Sequence, residues 1–283
     1  MNKEEQRDLI ANIFVALPRI RKLHNLNNPL FKLLHREIES YFTNRSSEKI
    51  LIHPFEKVIF PKVSLGNFES DVYLHAPEEF VIRSFYARNV NNYKIFFDIG
   101  SNVGSDALFA ASLGWEVNAF EPDPVNYNLL RENIKKNGFN NIQTHCKALS
   151  DTVGEINFVH VKGNTTASHI ANARDYYGEA EFFSVTATTF EEIGFFPDLI
   201  KMNIEGYEKI VIPTIPLYQW QKTDAFVALH DKDNRNTIYE HFVNSGIHLF
   251  SQKIGWEKVK KVDDLSLEKE GYIFITTKKH MPW

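Results

Sequence analysis

The segment Ile95–Gly104 (Ile-Phe-Phe-Asp-Ile-Gly-Ser-Asn-Val-Gly) constrains the fold of this chain most strongly. Its apolar start, Ile95–Ile99, is typical of a central parallel strand that is buried on both faces. Gly100 and Gly104 follow, and the pattern after them is that of a helix that ends at Gly114. We expect the two glycines to allow a tight turn and to leave room for a ligand against the main chain. This segment therefore predicts a strand–turn–helix unit of an α/β protein.

Apolar runs and helical patterns keep alternating through the rest of the chain. A helix is predicted between the capping pair Asp123-Pro124 and the stop signal Asn137-Gly138. Further strands are predicted at Trp115–Phe120, Ile142–Lys147, Gly154–Val161, Phe182–Thr188, Leu199–Ile204, Ala225–Leu229, Ile247–Ser251 and Tyr272–Thr277, the last two as an antiparallel pair. This order predicts a Rossmann-like, doubly wound, mostly parallel sheet that binds ligands at the carboxyl ends of its strands.

The residues ahead of this pattern are predicted to form a separate extension. We place a helical and partly mixed extension at residues 1–92 and the main domain at residues 93–283. One helix ends near Pro18, and a second begins after Asn28-Pro29. Its apolar stripe is predicted to pack on the core through Leu30, Leu33, Leu34, Ile38, Tyr41 and Phe42. Short strands are expected at Ile50–Ile52, Lys57–Phe60 and Val72–Leu74.

Basic side chains accompany the second helix, among them Lys32 and Arg36. They would suit a partner surface or an anionic membrane, but a solvated face beside a core-packing stripe explains them more simply. Any homo-oligomer is expected to form through these N-terminal helices.

The turn at Asp98–Gly104 differs from a dinucleotide-binding turn. A nicotinamide dinucleotide site requires Gly-x-Gly-x-x-Gly, whereas Asn102 stands at the middle position here. The carboxylate of Asp98 opens the turn and suits a ligand that carries an ammonium group, such as the methionine end of S-adenosylmethionine. Glu121 ends the next strand, about 20 residues further on, where a carboxylate accepts hydrogen bonds from ribose hydroxyls.

These segments together resemble the FkbM family of class I methyltransferases. The resemblance runs from about Lys94 to Leu229 and rests on five ordered segments: Asp98–Gly104, Ala119–Pro124, Asn133–Gly138, Ala148–Asp151 and Ile200–Glu208. It implies binding of S-adenosyl-L-methionine by Asp98, Gly100, Ser101, Asn102, Gly104, Glu121, Pro122, Ala148 and Ser150. It also implies methylation of a hydroxyl oxygen on a sugar, a glycan or a secondary metabolite.

One position departs from the family pattern. Asn203 stands where the family usually has Asp, and an amide is neither a base nor an anionic metal ligand. We therefore predict no metal and expect Asn203 to position cofactor or substrate. Glu205 is predicted to face the site, and His230, after the next strand, is the candidate general base, although a surface histidine is an equal alternative. Asp231 is expected to orient His230, and Glu208 to orient a neighbour.

A polar segment without a strong period, Gly163–Glu179, is the candidate lid over this site. Two other functions remain open: a nicotinamide-dependent oxidoreductase, which the missing glycine pattern opposes, and a non-catalytic module that binds the cofactor, which Asn203 favours. The formal net charge of −4 gives no reason to expect a nucleic-acid partner. The single Cys146, the absence of a long apolar run and the acidic N-terminus without an apolar signal core predict a cytoplasmic protein without a transmembrane segment.

Overall fold

The structure is a computed structural model that describes residues 3–43, 53–59, 63–65, 68–70, 77–162, 168–175, 178–267 and 270–283. Its α-helices are α1 Lys3–Ala16, α2 Pro29–Thr43, α3 Pro77–Arg88, α4 Ser105–Ser112, α5 Pro124–Asn137, α6 Phe190–Ile193, α7 Glu208–Val211 and α8 Lys232–Phe242. Its strands are β1 Val63–Leu65, β2 Phe68–Ser70, β3 Ile95–Ile99, β4 Glu116–Phe120, β5 Ile142–His145, β6 Ala148–Leu149, β7 Gly154–Val161, β8 His169–Ile170, β9 Ala180–Thr188, β10 Leu199–Met202, β11 Asp224–Ala228, β12 His248–Ser251, β13 Glu257–Lys258 and β14 Tyr272–Thr276.

A large mixed sheet forms the centre of the molecule. Its eight strands lie in the order β13-β12-β14-β11-β10-β3-β4-β5. The five strands from β11 to β5 are parallel, whereas β14 runs antiparallel to both β11 and β12. The Rossmann-like, doubly wound fold predicted from the sequence is confirmed, and so is the antiparallel pair at the end of the chain.

The two faces of this sheet carry separate cores. Along β3, Phe96 packs into a core that also holds residues of α1, α2 and α3, while Phe97 packs into the core on the opposite face. Phe85 of α3 contacts Phe226 and Phe274 of the sheet at ring distances of 4.9 and 5.3 Å. Because the N-terminal helices complete one core of the main sheet, their burial contributes to its stability. The predicted boundary at residue 92 remains a prediction.

Local signals place the helix that follows β4 as predicted. The Asp123 carboxylate accepts a hydrogen bond from the backbone N–H of Val125 at 2.9 Å, and Pro124 occupies the first position of α5. Gly138 ends the helix with a φ of 71°. This helix and α4 enclose the turn after β3 from the side, which fixes the position of the turn at the sheet edge.

A second sheet of four strands, in the order β6-β9-β7-β8, was not predicted. Its long strands β7 and β9 match predicted apolar runs, but β6 and β8 are only two residues each. Such short strands owe their conformation to pairing with β9 and β7, so their own sequences give no signal. This small sheet brings β6 and β8 to the carboxyl edge of the main sheet.

The N-terminal region needs three corrections. Helix α3 was not predicted. A strand was expected over residues 57–60, but residues 57–59, which the structure describes, form no strand, and Phe55–Lys57 is a 3-10 turn. The strands expected at residues 50–52 and 72–74 lie outside the described residues. In the predicted stripe of α2, Ile38 and Tyr41 are buried as expected, but Leu30 and Leu33 are 56% and 55% exposed, and Phe31 packs into the core although it was not predicted to. Among the helices of the described residues, none is long and apolar enough to cross a bilayer.

Candidate functional site

A cavity opens where the carboxyl ends of β3, β4 and β10 meet. It has a volume of about 1010 Å³, including solvent at its mouth. Eight of the predicted site residues line it: Gly100, Ser101, Asn102, Glu121, Pro122, Ala148, Asn203 and Glu205. The other four, Asp98, Gly104, Ser150 and His230, lie behind this lining.

The two glycines of the turn are required by packing against the protein. Gly100 has a φ of +79°, and a Cβ there would lie 2.0 Å from the backbone oxygen of Asn203. Gly104 has a φ of +96°, and its Cβ would lie 2.5 Å from Cδ1 of Leu130 on α5. The expectation that the glycines also leave room for a ligand remains a prediction. They let the turn adopt positive φ and approach two neighbouring elements closely.

Hydrogen bonds from both sides hold the turn in place. The backbone N–H groups of Gly100 and Ser101 both donate to the carbonyl oxygen of Phe120 at 3.0 Å, and the Ser101 hydroxyl donates to the carbonyl of Asp98 at 2.6 Å. Asn102 has a left-handed φ of 50° and accepts a bond from the N–H of Val103 through its side-chain oxygen. Asn tolerates this conformation better than most residues, which explains its place at the middle of the turn.

The Asp98 carboxylate lies beneath the turn and is 1% exposed. Its Oδ2 accepts a hydrogen bond from the N–H of Ala107 at 3.0 Å, and its Oδ1 lies 3.9 Å from Nζ of Lys201. Burial raises the pKa of Asp98, and the nearby Lys201 acts in the opposite direction. The predicted contact between Asp98 and a ligand ammonium remains a prediction. What the structure shows is a carboxylate that ties the start of α4 to β10.

Glu121 ends β4 and faces the cavity with its carboxylate largely buried. Its two oxygens accept hydrogen bonds from the backbone N–H groups of Asn102, at 2.8 Å, and Asp123, at 3.0 Å. Burial raises the pKa of Glu121 to about 7, although both hydrogen bonds favour the charged form. The carboxylate is thus held in one orientation, with lone pairs left for a ligand.

An apolar wall stands next to Glu121. Pro122, Ala148, Leu149 and Phe158 line the cavity there. Ser150 is fully buried behind this wall, where its hydroxyl donates to the Asp151 carboxylate at 3.0 Å. This wall suits a flat apolar ligand group, and the role predicted for Ser150 beside that group remains a prediction.

The three predicted catalytic residues lie together at the other side of the cavity. Nε2 of His230 is 2.9 Å from the side-chain oxygen of Asn203, which favours the tautomer with the proton on Nε2. Nδ1 of the same ring is 3.5 Å from Nη1 of Arg174. Glu205 forms an ion pair with Arg174 and faces the cavity, whereas the His230 ring does not. Both ring nitrogens of His230 therefore face protein groups.

Glu208 fixes the backbone that carries this cluster. It is fully buried and accepts hydrogen bonds from the N–H groups of Ile204 and Gly206 and from the side chain of Asn234. This matches the orienting role predicted for it. Asp231 does not contact the His230 ring as expected: its carboxylate caps α8 through the N–H of Asn234 and pairs with Lys209.

Part of the predicted lid lies against the cavity. Within residues 168–175, Ser168, His169 and Ile170 line it, and Arg174 reaches Glu205. His169 and Ile170 form β8 and pair with β7, so this stretch belongs to the small sheet. The mobility of the segment remains a prediction.

The sequence did not identify a charged group at one end of the cavity. Glu79 and Arg83 of α3 line it together with Asp106 of α4 and Lys201 of β10. The available signal was Pro77 followed by Glu78 and Glu79, a typical first helical turn, which the expected strand at residues 72–74 obscured. Among the described residues, no group of three or more His, Cys, Asp or Glu side chains is arranged to hold a metal ion.

Comparison with known proteins places this site in a family. The profile described as the methyltransferase FkbM domain matches residues 98–273, which hold every predicted site residue. The chain belongs to the FkbM methyltransferase family.

One curated protein matches a short part of this chain. The uncharacterized protein MJ1452 of Methanocaldococcus jannaschii is 40% identical over 63 residues, which are 22% of this chain and 24% of that protein. The chain thus spans about a quarter of the length of that relative.

Solved structures of methyltransferases resemble the fold. The methyltransferase domain of METTL16 is 13% identical, with 72% of this chain and 69% of that chain covered and a TM-score of 0.42. The precorrin-6y C5,15-methyltransferase of Geobacter metallireducens is 12% identical, with 69% and 85% covered and a TM-score of 0.36. These identities and TM-scores are too low to indicate which reaction the chain catalyses. Its assignment to the family therefore rests on the match to the FkbM domain profile.

Proposed function

We propose that this FkbM methyltransferase uses S-adenosylmethionine to methylate a hydroxyl oxygen of a sugar, a glycan or a secondary metabolite. One observation carries the proposal. A single cavity joins Glu121 at the end of β4, the turn after β3 and Glu205 beyond β10. A ribose-binding carboxylate and a group that can accept a proton therefore face the same space.

The residues of the cavity fit S-adenosylmethionine chemically. Glu121 would accept hydrogen bonds from the ribose hydroxyls, and the wall of Ala148, Leu149 and Phe158 would cover the adenine. Oε2 of Glu79 is buried beside the cavity without a hydrogen bond in the described chain, as suits a cationic ligand. When bound, S-adenosylmethionine supplies an electrophilic methyl group on a positively charged sulfur.

The protein contributes mainly by positioning. The turn is fixed through Phe120, Asp98 and Ser101, and the opposite wall is fixed through Glu208. These two fixed walls would position the cofactor and the acceptor against each other, and such positioning lowers the barrier to methyl transfer.

The proton of the acceptor hydroxyl needs a base within hydrogen-bond reach. Glu205 faces the cavity, whereas His230 is turned toward Asn203 and Arg174. We therefore propose Glu205 as the proton acceptor, with His230 and Asn203 as positioning residues. The general-base role predicted for His230 is the alternative.

Two variants separate these roles. If Glu205 accepts the proton, Glu205→Gln should lower kcat about 10²- to 10⁴-fold, with affinity for S-adenosylhomocysteine nearly unchanged. His230→Gln should cost less, because it removes a contact that holds Asn203 and no reacting group. The opposite order of effects would assign the base to His230.

The methyl-transfer assay described below also tests whether turnover depends on a metal ion. An amide at position 203 is a weaker metal ligand than the carboxylate usual in the family, so turnover should persist in EDTA. Activity that is lost in EDTA and restored by Mg²⁺ would overturn this expectation.

The assay itself follows transfer of a labelled methyl group from S-adenosylmethionine to a panel of hydroxylated sugars and small metabolites. Transfer to a hydroxyl oxygen supports the proposal. Binding of S-adenosylhomocysteine without transfer to any acceptor in the panel would favour the non-catalytic module.

A further inference from the structure

Helix α3 lies outside the region that matches the family, yet it contributes to the same cavity. The family match begins at residue 98, and α3 spans Pro77–Arg88. Glu79 and Arg83 stand four residues apart, which places them on one face of the helix, and both line the cavity that holds Glu121. The extension thus adds to the site of the methyltransferase domain a guanidinium group and a carboxyl group, whose pKa burial raises to about 8.

These side chains join a buried network of both charge signs. Nε of Arg83 is 3.3 Å from Oδ1 of Asp106, and Nζ of Lys201 is 3.8 Å from Oδ2 of the same carboxylate. The Tyr272 hydroxyl donates a hydrogen bond to Oε1 of Glu79 at 2.6 Å. The network therefore links α3, α4, β10 and β14 at one end of the cavity.

Two carboxylate oxygens of this network are buried without a hydrogen bond in the described chain. They are Oε2 of Glu79 and Oδ1 of Asp106, and both residues line the cavity. Oδ1 of Asp106 already forms an ion pair with Arg83, but buried polar atoms normally have partners, so Oε2 of Glu79 indicates a donor that binds from the cavity. An ammonium group is the donor that suits two carboxylates.

The same end of the cavity also offers positive charge. Arg83 and Lys201 line it. Burial alone would lower the pKa of Lys201, but the carboxylates of Asp98 and Asp106 raise it above its usual value, so the amine is charged. A guanidinium and an ammonium together suit a ligand carboxylate.

We propose that Glu79 and Arg83, with Asp106, form the subsite for the α-amino-carboxylate end of S-adenosylmethionine. This inference rests on the proposed function. Glu79 and Asp106 receive the ammonium group in place of Asp98, which does not line the cavity, and Arg83 receives the carboxylate. The helix ahead of the family domain is therefore part of the binding site and more than a cover for the sheet.

The test compares two ligands that differ in the amino-acid end alone. S-adenosylhomocysteine carries it, and 5′-methylthioadenosine lacks it while keeping the adenosine part. Both are titrated calorimetrically into the full chain, its variants Glu79→Gln and Arg83→Lys, and the matched controls Glu78→Gln and Arg88→Lys. Neither Glu78 nor Arg88 lines the cavity.

The variants are chosen to preserve folding. In Glu79→Gln, the side-chain carbonyl can still accept the hydrogen bond from the Tyr272 hydroxyl. In Arg83→Lys, the lysine keeps a positive charge beside Asp106. We expect both to weaken S-adenosylhomocysteine about 10- to 100-fold, the effect of losing a charged hydrogen bond. Their affinity for 5′-methylthioadenosine, and the affinity of both controls for either ligand, should stay within about threefold of wild type.

The outcomes separate the two proposals. Equal losses for both ligands, or no loss for S-adenosylhomocysteine, would overturn the subsite while leaving the cofactor assignment in place. A wild-type chain that binds neither ligand would overturn the proposed function and the subsite with it.

Discussion

Side chains and backbone meet very closely in the turn after β3. Gly100 faces the backbone of Asn203 and Gly104 faces Leu130, so each glycine joins the turn to a different neighbour. Asn203 makes two contacts here: its backbone carbonyl packs on Gly100, and its side-chain amide is hydrogen-bonded to His230. The position of the candidate catalytic cluster thus depends on the same turn that borders the candidate cofactor pocket.

The role of Gly100 is tested by Gly100→Ala with Gly138→Ala as control. Both glycines have positive φ, but a Cβ at Gly138 meets nothing within 4 Å. Gly138→Ala should cost about 1–2 kcal/mol of unfolding free energy from backbone strain alone. Gly100→Ala should cost about 1–3 kcal/mol more, because its Cβ overlaps the Asn203 oxygen. Urea unfolding measures both, and equal losses would contradict the packing role.

Glu121 provides the second prediction for a single residue. Glu121→Ala should weaken S-adenosylhomocysteine binding by about 1.5–3 kcal/mol, the range for hydrogen bonds to a charged group. Isothermal titration gives this difference directly, with circular dichroism to verify that the variant is folded. Equal affinity for variant and wild type would remove Glu121 from the ribose role.

At the scale of elements, the main sheet was predictable and the surrounding elements were less so. The central strands are short apolar runs between turn signals, so β3, β10 and β11 could be located from sequence. Helix α3 gives no amphipathic pattern, because Arg83 and Ser84 are buried along with the apolar residues around them. The His230 contacts could not be predicted, because they join residues from three separate segments.

The lid hypothesis concerns the loop around β8. Within residues 168–175, the first three line the cavity and Arg174 reaches Glu205, and the strand in this stretch pairs with β7 over two residues only. Hydrogen exchange in this stretch should be fast in the free protein and slower with S-adenosylhomocysteine and an acceptor bound. β10, which is buried at all four positions, is the internal control that should exchange slowly in both states. Exchange that is unchanged at saturation would contradict the hypothesis.

For the molecule as a whole, burial of the Glu121 carboxylate lowers the free energy of unfolding at neutral pH. Burial raises the pKa of Glu121 from 4.5 to about 7, so the folded state retains a proton that the unfolded state has already released. The stabilisation from this group is full below about pH 4.5 and is lost as the pH rises to about 7.

Thermal unfolding of Glu121→Gln tests this linkage. Glutamine does not titrate, so the fall in Tm between pH 5 and pH 8 should be smaller in the variant than in wild type. Other titrating groups contribute equally to both proteins, and comparing the two falls cancels them. The same fall in both proteins would show that the Glu121 pKa is not raised.

Binding of the cofactor product is the most direct measurement of the central claim, that the edge formed by β3, β4 and β10 binds S-adenosylmethionine. S-adenosylhomocysteine and NAD are titrated separately into the wild-type chain and into Glu121→Ala. We expect saturable binding of S-adenosylhomocysteine that is weakened in the variant, and no binding of NAD, because the turn lacks Gly-x-Gly-x-x-Gly. Saturable binding of NAD, with no heat from S-adenosylhomocysteine, would contradict the claim and indicate an oxidoreductase-type site.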